Sequence, residues 1–258
     1  MKTVGVAGVG AIGGAVVKAL KKGIEGFELV CVSDPHTETD FNVPNVSFEI
    51  LAEQSDLVIE CLPVSIVPEL AEAALHAKKD VMFISSAALL TYPQLVDKFR
   101  QSPCSAYLPS GALCGLDGVR AMKEMGITSS VIASTKPPLG FTGAPYIVDN
   151  SVDLNSISEK TLIFRGNALE AARGFPANVN VAATLSFAGI GPEQTQVEVW
   201  ADPEAIGNAH NITVQSEYST LNARIENMPD PQNPKSSVLA AQSIVASLRN
   251  MNNALMLT

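Results

Sequence analysis

Residues 4–20 read VGVAGVGAIGGAVVKAL. Small apolar residues from Val4 to Ala7 break into glycines, and apolar residues then resume at helical spacing. This is the pattern of a buried strand that turns directly into a helix. Gly8, Gly10 and Gly13 place G-x-G-x-x-G across the turn. The first glycine permits the tight turn, the second lets a pyrophosphate approach the backbone, and the third lets helix and strand pack closely. The helix N-terminus adds free N–H groups and a partial positive charge. Gly8, Gly10, Ala11, Ile12 and Gly13 are therefore expected to cradle the phosphates of a dinucleotide. Glycine-rich turns are also common without a ligand, so the flanking sequence decides. Asp34 closes the next strand, twenty-one residues beyond Gly13. A carboxylate there accepts hydrogen bonds from the ribose hydroxyls of NAD and repels the 2′-phosphate of NADP. Pro35 and His36 follow and supply no arginine. NAD is favoured, and NADP stays open, since a rotated Asp34 leaves room for a phosphate that His36 can face.

Outward from this turn, strands and helices alternate. FELVCVSDP and DLVIECLP read as strands, SIVPELAEAALHAKKD as a helix, VMFISS as a strand and TYPQLVDKFRQS as a helix. The rhythm predicts a parallel Rossmann sheet with helices on both faces over residues 1–109. Beyond Pro109 it changes. GLDGVRAMKEMG and ANVNVAATLSFAG read as helices. TSSVIASTKP, KTLIFRG, QTQVEVWADP and HNITVQSEYSTLNARIENM alternate polar and apolar residues, as strands with one wet face do. Residues 110–234 are expected to form a smaller α+β domain with a largely antiparallel sheet, which would bind the substrate. PDPQNPKSS is a loop by composition. The helical SVLAAQSIVASLRNM lies within 235–258, a segment expected to pack back on the first domain.

The bulk properties narrow the function. A chain of 258 residues buries a substantial core, and its formal charge is −9. So acidic a surface repels phosphate backbones, which argues against nucleic-acid binding. Cys31, Cys61, Cys104 and Cys114 form no CxxC, and no Cys/His pair has zinc spacing, so no metal site is expected. No apolar run approaches the ~18 residues of a membrane span, and the N-terminus begins a strand without a charged leader. The chain reads as cytoplasmic, with no membrane partner.

Ligands of such sheets lie beyond the carboxyl ends of the strands. Arriving there are ECLP, SSAAL and PSGAL, in which Ala87, Ala88, Gly111 and Ala112 either let a nicotinamide ring approach backbone or only make tight connections. Redox chemistry also needs a proton carrier and a group that orients the substrate. His36 lies at the adenosine end, and His76 sits on a helix away from the sheet's edge. His210, flanked by Asn208 and Asn211 at a loop-to-strand border, can titrate near neutral pH. Lys136, at a strand end beside two prolines, either neutralises a substrate carboxylate or is simply solvated. Of Asn178 and Asn180, one can cap the helix that follows. The other can bind the nicotinamide carboxamide or a substrate carboxylate.

These segments together resemble the L-aspartate dehydrogenases. The resemblance is carried by GVGAIGGAV, SGALCGLDGV, STKPP, GFPANVNVAATLSFAGIG, VEVWADP, NAHNITV and NPKSSVLAAQSIVASLR. It implies an enzyme that converts L-aspartate to oxaloacetate and ammonia through iminoaspartate with NAD or NADP, or runs the reverse amination, and that can feed NAD biosynthesis. It maps the catalytic histidine onto His210 and cofactor contacts onto Ala112 and Asn180, with Asn178 as the fallback register. The two substrate carboxylates would be met by Ser86 with its neighbour Ser85, by Lys136 and by Asn180, beside His210. The resemblance further implies a homodimer. The chain departs from the family pattern at SSAAL, where SVGAL is usual, and at Cys114, where glycine is common. Two other readings remain: a different two-domain reductase of a small acid or semialdehyde, and a non-catalytic NAD-sensing protein. All three readings need a nicotinamide nucleotide on the first domain. Only the enzymes need His210 to face it across a shared cleft.

Overall fold

A computed structural model describes residues 1–37, 41–228 and 237–256. The chain divides into two units: Met1–Gly111 with the segment that begins at Leu239, and Ala112–Val238.

The first unit runs β1 (Lys2–Ala7), α1 (Ala11–Lys22), β2 (Phe27–Ser33), α2 (Phe48–Gln54), β3 (Leu57–Glu60), α3 (Val67–His76), β4 (Asp80–Phe83), α4 (Ala87–Thr91), α5 (Gln94–Gln101) and β5 (Ala106–Tyr107). Every strand pair is parallel, in the order β2-β1-β3-β4-β5. The order reverses at β1, so the switch point of this sheet lies between β1 and β3. At its carboxyl edge Ala7 pairs with Glu60, and Glu60 with Phe83. Three elements go beyond the sequence reading. FEILAEQ forms α2, too short for its period to stand out. SSAAL, expected as a connection, forms α4 with Ser86 at its N-cap. β5 adds a two-residue edge strand.

The second unit runs α6 (Leu116–Glu124), β6 (Ile127–Lys136), α7 (Pro145–Asp149), β7 (Thr161–Asn167), α8 (Ala168–Gly174), α9 (Asn180–Ala188), β8 (Thr195–Ala201), β9 (Asn208–Ser216) and β10 (Thr220–Asn227). Its sheet order is β10-β9-β6-β8-β7, antiparallel except for the parallel β6–β8 pair. HNITVQSEYSTLNARIENM is a hairpin closed by Ser216 N–H donating to Ser219 O at 2.9 Å. Side chains alternate across the sheet. Ile132, Val197, Val199, Ile212 and Val214 are buried on the face that α6, α8 and α9 cover. The opposite face carries Arg165, Glu198, Thr213, Arg224 and Glu226.

The last helix, α10 (Val238–Met251), belongs to the first unit's core: Ile244, Val245 and Leu248 cluster with Val4, Val6, Val16, Val17, Leu57 and Ile59. At roughly 1.5–3 kcal/mol for each fully buried aliphatic side chain, these three bind α10 to the Rossmann sheet. The PDPQNPKSS loop falls largely outside the described residues. Among the described residues, no helix is long and apolar enough to cross a membrane.

Candidate active site

The glycine turn is as tight, and its helix as closely packed, as the motif requires. Gly8 has φ +79°, and a Cβ there would lie 2.4 Å from the Cys61 carbonyl oxygen. A Cβ on Gly13 would lie 1.8 Å from the Gly8 carbonyl oxygen, so only glycine lets α1 start so close to β1. Gly10 is the N-cap of α1, without a side-chain capping bond, and a Cβ there would meet nothing within 4 Å. Open space at an uncapped helix N-terminus fits the pyrophosphate of a dinucleotide. Asp34 sits beside it and is already engaged. Its Oδ2 accepts from Val9 N–H at 2.8 Å and its Oδ1 from His36 N–H at 2.9 Å. Asn45 pins the main chain of Asp34 from both sides: Asp34 N–H donates to Asn45 Oδ1 (3.0 Å), and Asn45 Nδ2 donates to Asp34 O (2.8 Å). Each carboxylate oxygen keeps a lone pair for a ribose hydroxyl.

In the second unit, three of the singled-out side chains gather on the helix-covered face. Ser134 pairs with His210 across β6 and β9, and Ser134 Oγ lies 2.9 Å from His210 Nδ1. The hydroxyl can satisfy Nδ1 in either tautomer, because it both donates and accepts. When Nδ1–H donates to Ser134, Nε2 carries the free lone pair. Lys136, two residues on, points to the same face. Its Nζ donates to Asn178 Oδ1 at 2.7 Å. His210 is 4% exposed and Lys136 8%. Burial pushes His210 down to about 3, and the Lys136 cation adds to the shift. Burial alone pushes Lys136 down to about 8.

Three readings are corrected. His210 does not titrate near neutrality, because both desolvation and a cation oppose its charging. Lys136 is not a solvated lysine: its ammonium is enclosed with a neutral amide as partner, and no ion pair reaches it among the described residues. Neither asparagine caps α9, whose N-cap is Val179 without a side-chain bond; Asn178 serves Lys136, and Asn180 opens the helix. Ser86, with Ser85, belongs to the first unit and is buried. Ala112 opens the second unit and is buried too. His76 ends α3 and is exposed. The four cysteines are free.

Sequence reasoning missed three groups here. Ser134 and Asn45 gave no signal, since their partners depend on strand register. Glu60 did give one, as a lone acid in the apolar run LVIECLP. It is fully buried, and burial pushes it up to about 7 against the hydrogen bonds it accepts.

Residues 117–251 match the aspartate dehydrogenase C-terminal family, and residues 8–109 match the NAD-binding domain of homoserine dehydrogenases. An L-aspartate dehydrogenase of Bordetella bronchiseptica is 44% identical, over 96% of this chain and 94% of its own length. This chain belongs to the L-aspartate dehydrogenase family. A second member, from Methanococcoides burtonii, is 41% identical over 99% of this chain and 98% of its own. The crystal structure of the aspartate dehydrogenase of Thermotoga maritima superposes with a TM-score of 0.80 at 26% identity, with all of both chains covered. As an L-aspartate dehydrogenase family member with an NAD-binding domain, the chain is a dehydrogenase that uses NAD or NADP.

Proposed function

We propose that this protein catalyses the oxidative deamination of L-aspartate to oxaloacetate and ammonia through iminoaspartate, and the reverse amination, with NAD favoured over NADP. The observation that carries the reading is the enclosed, unneutralised Lys136 ammonium on the same sheet face as a neutral imidazole. A dicarboxylate amino acid suits both groups. One carboxylate neutralises Lys136, and the amine meets His210. Gly8, Gly10, Ala11, Ile12, Gly13, Asp34, Ala112 and Asn180 are the residues that would hold the cofactor.

Bound NAD(P) supplies the acceptor for the hydrogen that leaves Cα with its electron pair. The chain supplies the proton chemistry. The amine must be neutral before its lone pair can form the imine, so His210 Nε2 takes one proton from the ammonium while Nδ1–H donates to Ser134. His210 then moves protons as water adds to the imine carbon and ammonia departs. Burial is the main cause of its low basicity in the free protein, and the Lys136 cation is the second cause, which the substrate removes. A carboxylate on Lys136 cancels the cation, and the added negative charge draws the imidazole toward the working range. Lys136, Asn180 and the Ser86 region are the proposed carboxylate donors.

The iminoaspartate product is the kind of precursor that pyridine-nucleotide synthesis consumes. The free thiols suit a cytoplasmic protein. The sheet face bearing Arg224 and Glu226 is the proposed contact of a homodimer. Initial rates at the nicotinamide absorbance band, with L-aspartate and NAD and again with NADP, test the reading. Reduction with NAD is expected. No reduction with either cofactor removes the reading, and binding of NAD without turnover would favour the sensor.

A further inference from the structure

Glu60 is a charged residue type at the switch point of the Rossmann sheet, yet no part of it is exposed. Its two oxygens serve different loops. Oε1 accepts from Leu62 N–H at 2.5 Å, just past β3, and Oε2 accepts from Ser85 N–H at 3.0 Å, just past β4. Ser85 Oγ closes the ring by donating to Leu62 O at 2.8 Å. Among the described residues no cation pairs with Glu60.

The bland account is a buried carboxyl that merely satisfies itself. That account leaves the location unexplained. An apolar side chain at the end of β3 would avoid the desolvation altogether, as Ile59 and Phe83 do nearby. What an apolar residue cannot do is accept two N–H groups from two loops at once. The loop it holds is also the floor of the glycine turn. A Cβ on Gly8 would lie 2.4 Å from the Cys61 oxygen and 3.1 Å from Leu62 Cδ2, and one on Gly13 would lie 3.3 Å from Cys61 Cβ. Backbone packed this closely against the glycine turn is fastened, through one carboxylate, to the loop after β4.

We propose that Glu60 is a positioning residue for the cofactor: it staples the loops after β3 and β4 to each other and to the glycine turn, and so shapes the seat of the nicotinamide half. This rests on the reading that NAD(P) lies along the carboxyl edge of this sheet. The adenosine half is served by separate groups, Asp34 and Asn45, whose bonds do not pass through Glu60.

Glu60→Gln separates the roles. The amide keeps the size but offers one acceptor oxygen, and its NH2 then opposes a backbone N–H. NADH and ADP binding are measured on the full-length protein by fluorescence and calorimetry, with steady-state rates alongside. In Glu60→Gln, NADH is expected to bind about ten-fold more weakly, ADP within about two-fold of wild type, and the KM for L-aspartate at saturating cofactor to stay similarly close. Equal losses for NADH and ADP would mean general loosening of the domain and overturn the proposal. So would unchanged NADH binding. If Glu60→Gln does not fold, Ser85→Ala removes the hydroxyl that braces Leu62 O and hydrogen-bonds Glu60, and leaves the carboxylate in place. The same selective NADH loss is then expected, and its absence overturns the proposal. A wild-type protein that binds no NADH would sink the dehydrogenase reading itself. A wild type that binds it, with an indifferent Glu60→Gln, sinks only the staple.

Discussion

Ser134 Oγ lies 2.9 Å from His210 Nδ1, on the strand that pairs directly with the histidine's own. The contact fixes the ring plane and leaves Nε2 as the nitrogen able to exchange protons. His210→Ala should therefore lower kcat about 10²–10⁴-fold, the usual worth of acid–base catalysis. NADH binding should stay within about two-fold, because His210 is not among the residues that would hold the cofactor. Stopped-flow turnover and fluorescence titration read the two quantities. Parallel losses would take His210 out of the chemistry.

Ser134→Ala removes the orienting hydroxyl and leaves the imidazole in place. A lost buried hydrogen bond is worth roughly 1 kcal/mol, so kcat should drop several-fold to ten-fold with little change in cofactor KM. Ser134→Thr, which keeps a hydroxyl, should recover part of it. If alanine and threonine behave alike, the hydroxyl is not what orients the ring.

Lys136→Met removes the cation that helps depress His210. The sign follows: without the nearby positive charge the imidazolium is less disfavoured, so the acid limb of the kcat/KM profile moves to higher pH. KM for L-aspartate should also rise, because a carboxylate loses its ammonium partner. Asn178→Ala, which strips Lys136 of its 2.7 Å acceptor, should raise KM by less. The double variant should be far from additive, as expected of groups in direct contact. An unmoved pH profile would remove Lys136 from the site.

Asp34 is held in place by Asn45 through two main-chain bonds. Asn45→Ala should let the carboxylate drift and reduce the preference for NAD over NADP several-fold in kcat/KM. Asp34→Ser should reduce it further. The ratio of the two specificity constants is the measurement. A ratio that neither variant changes would place the discrimination elsewhere.

How far these features were legible depends on where their causes lie. β1, the glycine turn and α1 could be read outright, because periodicity, the special φ at Gly8 and the close approach at Gly13 are all written within one short stretch. The change from a parallel to a largely antiparallel sheet was equally plain in the alternation after Pro109. The setting of the candidate site residues was not legible. Lys136 at its strand end read equally as a carboxylate partner or a solvated lysine, because its amide partner lies 42 residues away. Ser134 meets His210 across 76 residues, through a register that no local pattern states. The neutral-range titration expected of His210 failed for the same reason: burial and a neighbouring cation are tertiary facts.

Two buried groups pull stability in opposite directions with pH. His210 is pushed from 6.5 down to about 3, so between those values the unfolded chain binds a proton that the native chain refuses. Its contribution is present above the unfolded value and is lost as pH falls. Glu60 is pushed from 4.5 up to about 7, so the native chain holds a proton that the unfolded chain has released. Its contribution is present below the unfolded value and is lost as pH rises through the native one. Each group alone changes the unfolding free energy by up to about 1.4 kcal/mol per pH unit within its window. Between pH 4.5 and 6.5 the two slopes oppose and partly cancel. His210→Asn should therefore make stability fall more steeply as pH rises across that interval, and Glu60→Gln should make it rise more steeply. Urea unfolding at half-unit pH steps reads both slopes, whatever either substitution does to the absolute level. Slopes that shift in the same direction in both variants would show that one of the two groups is not buried in the state described.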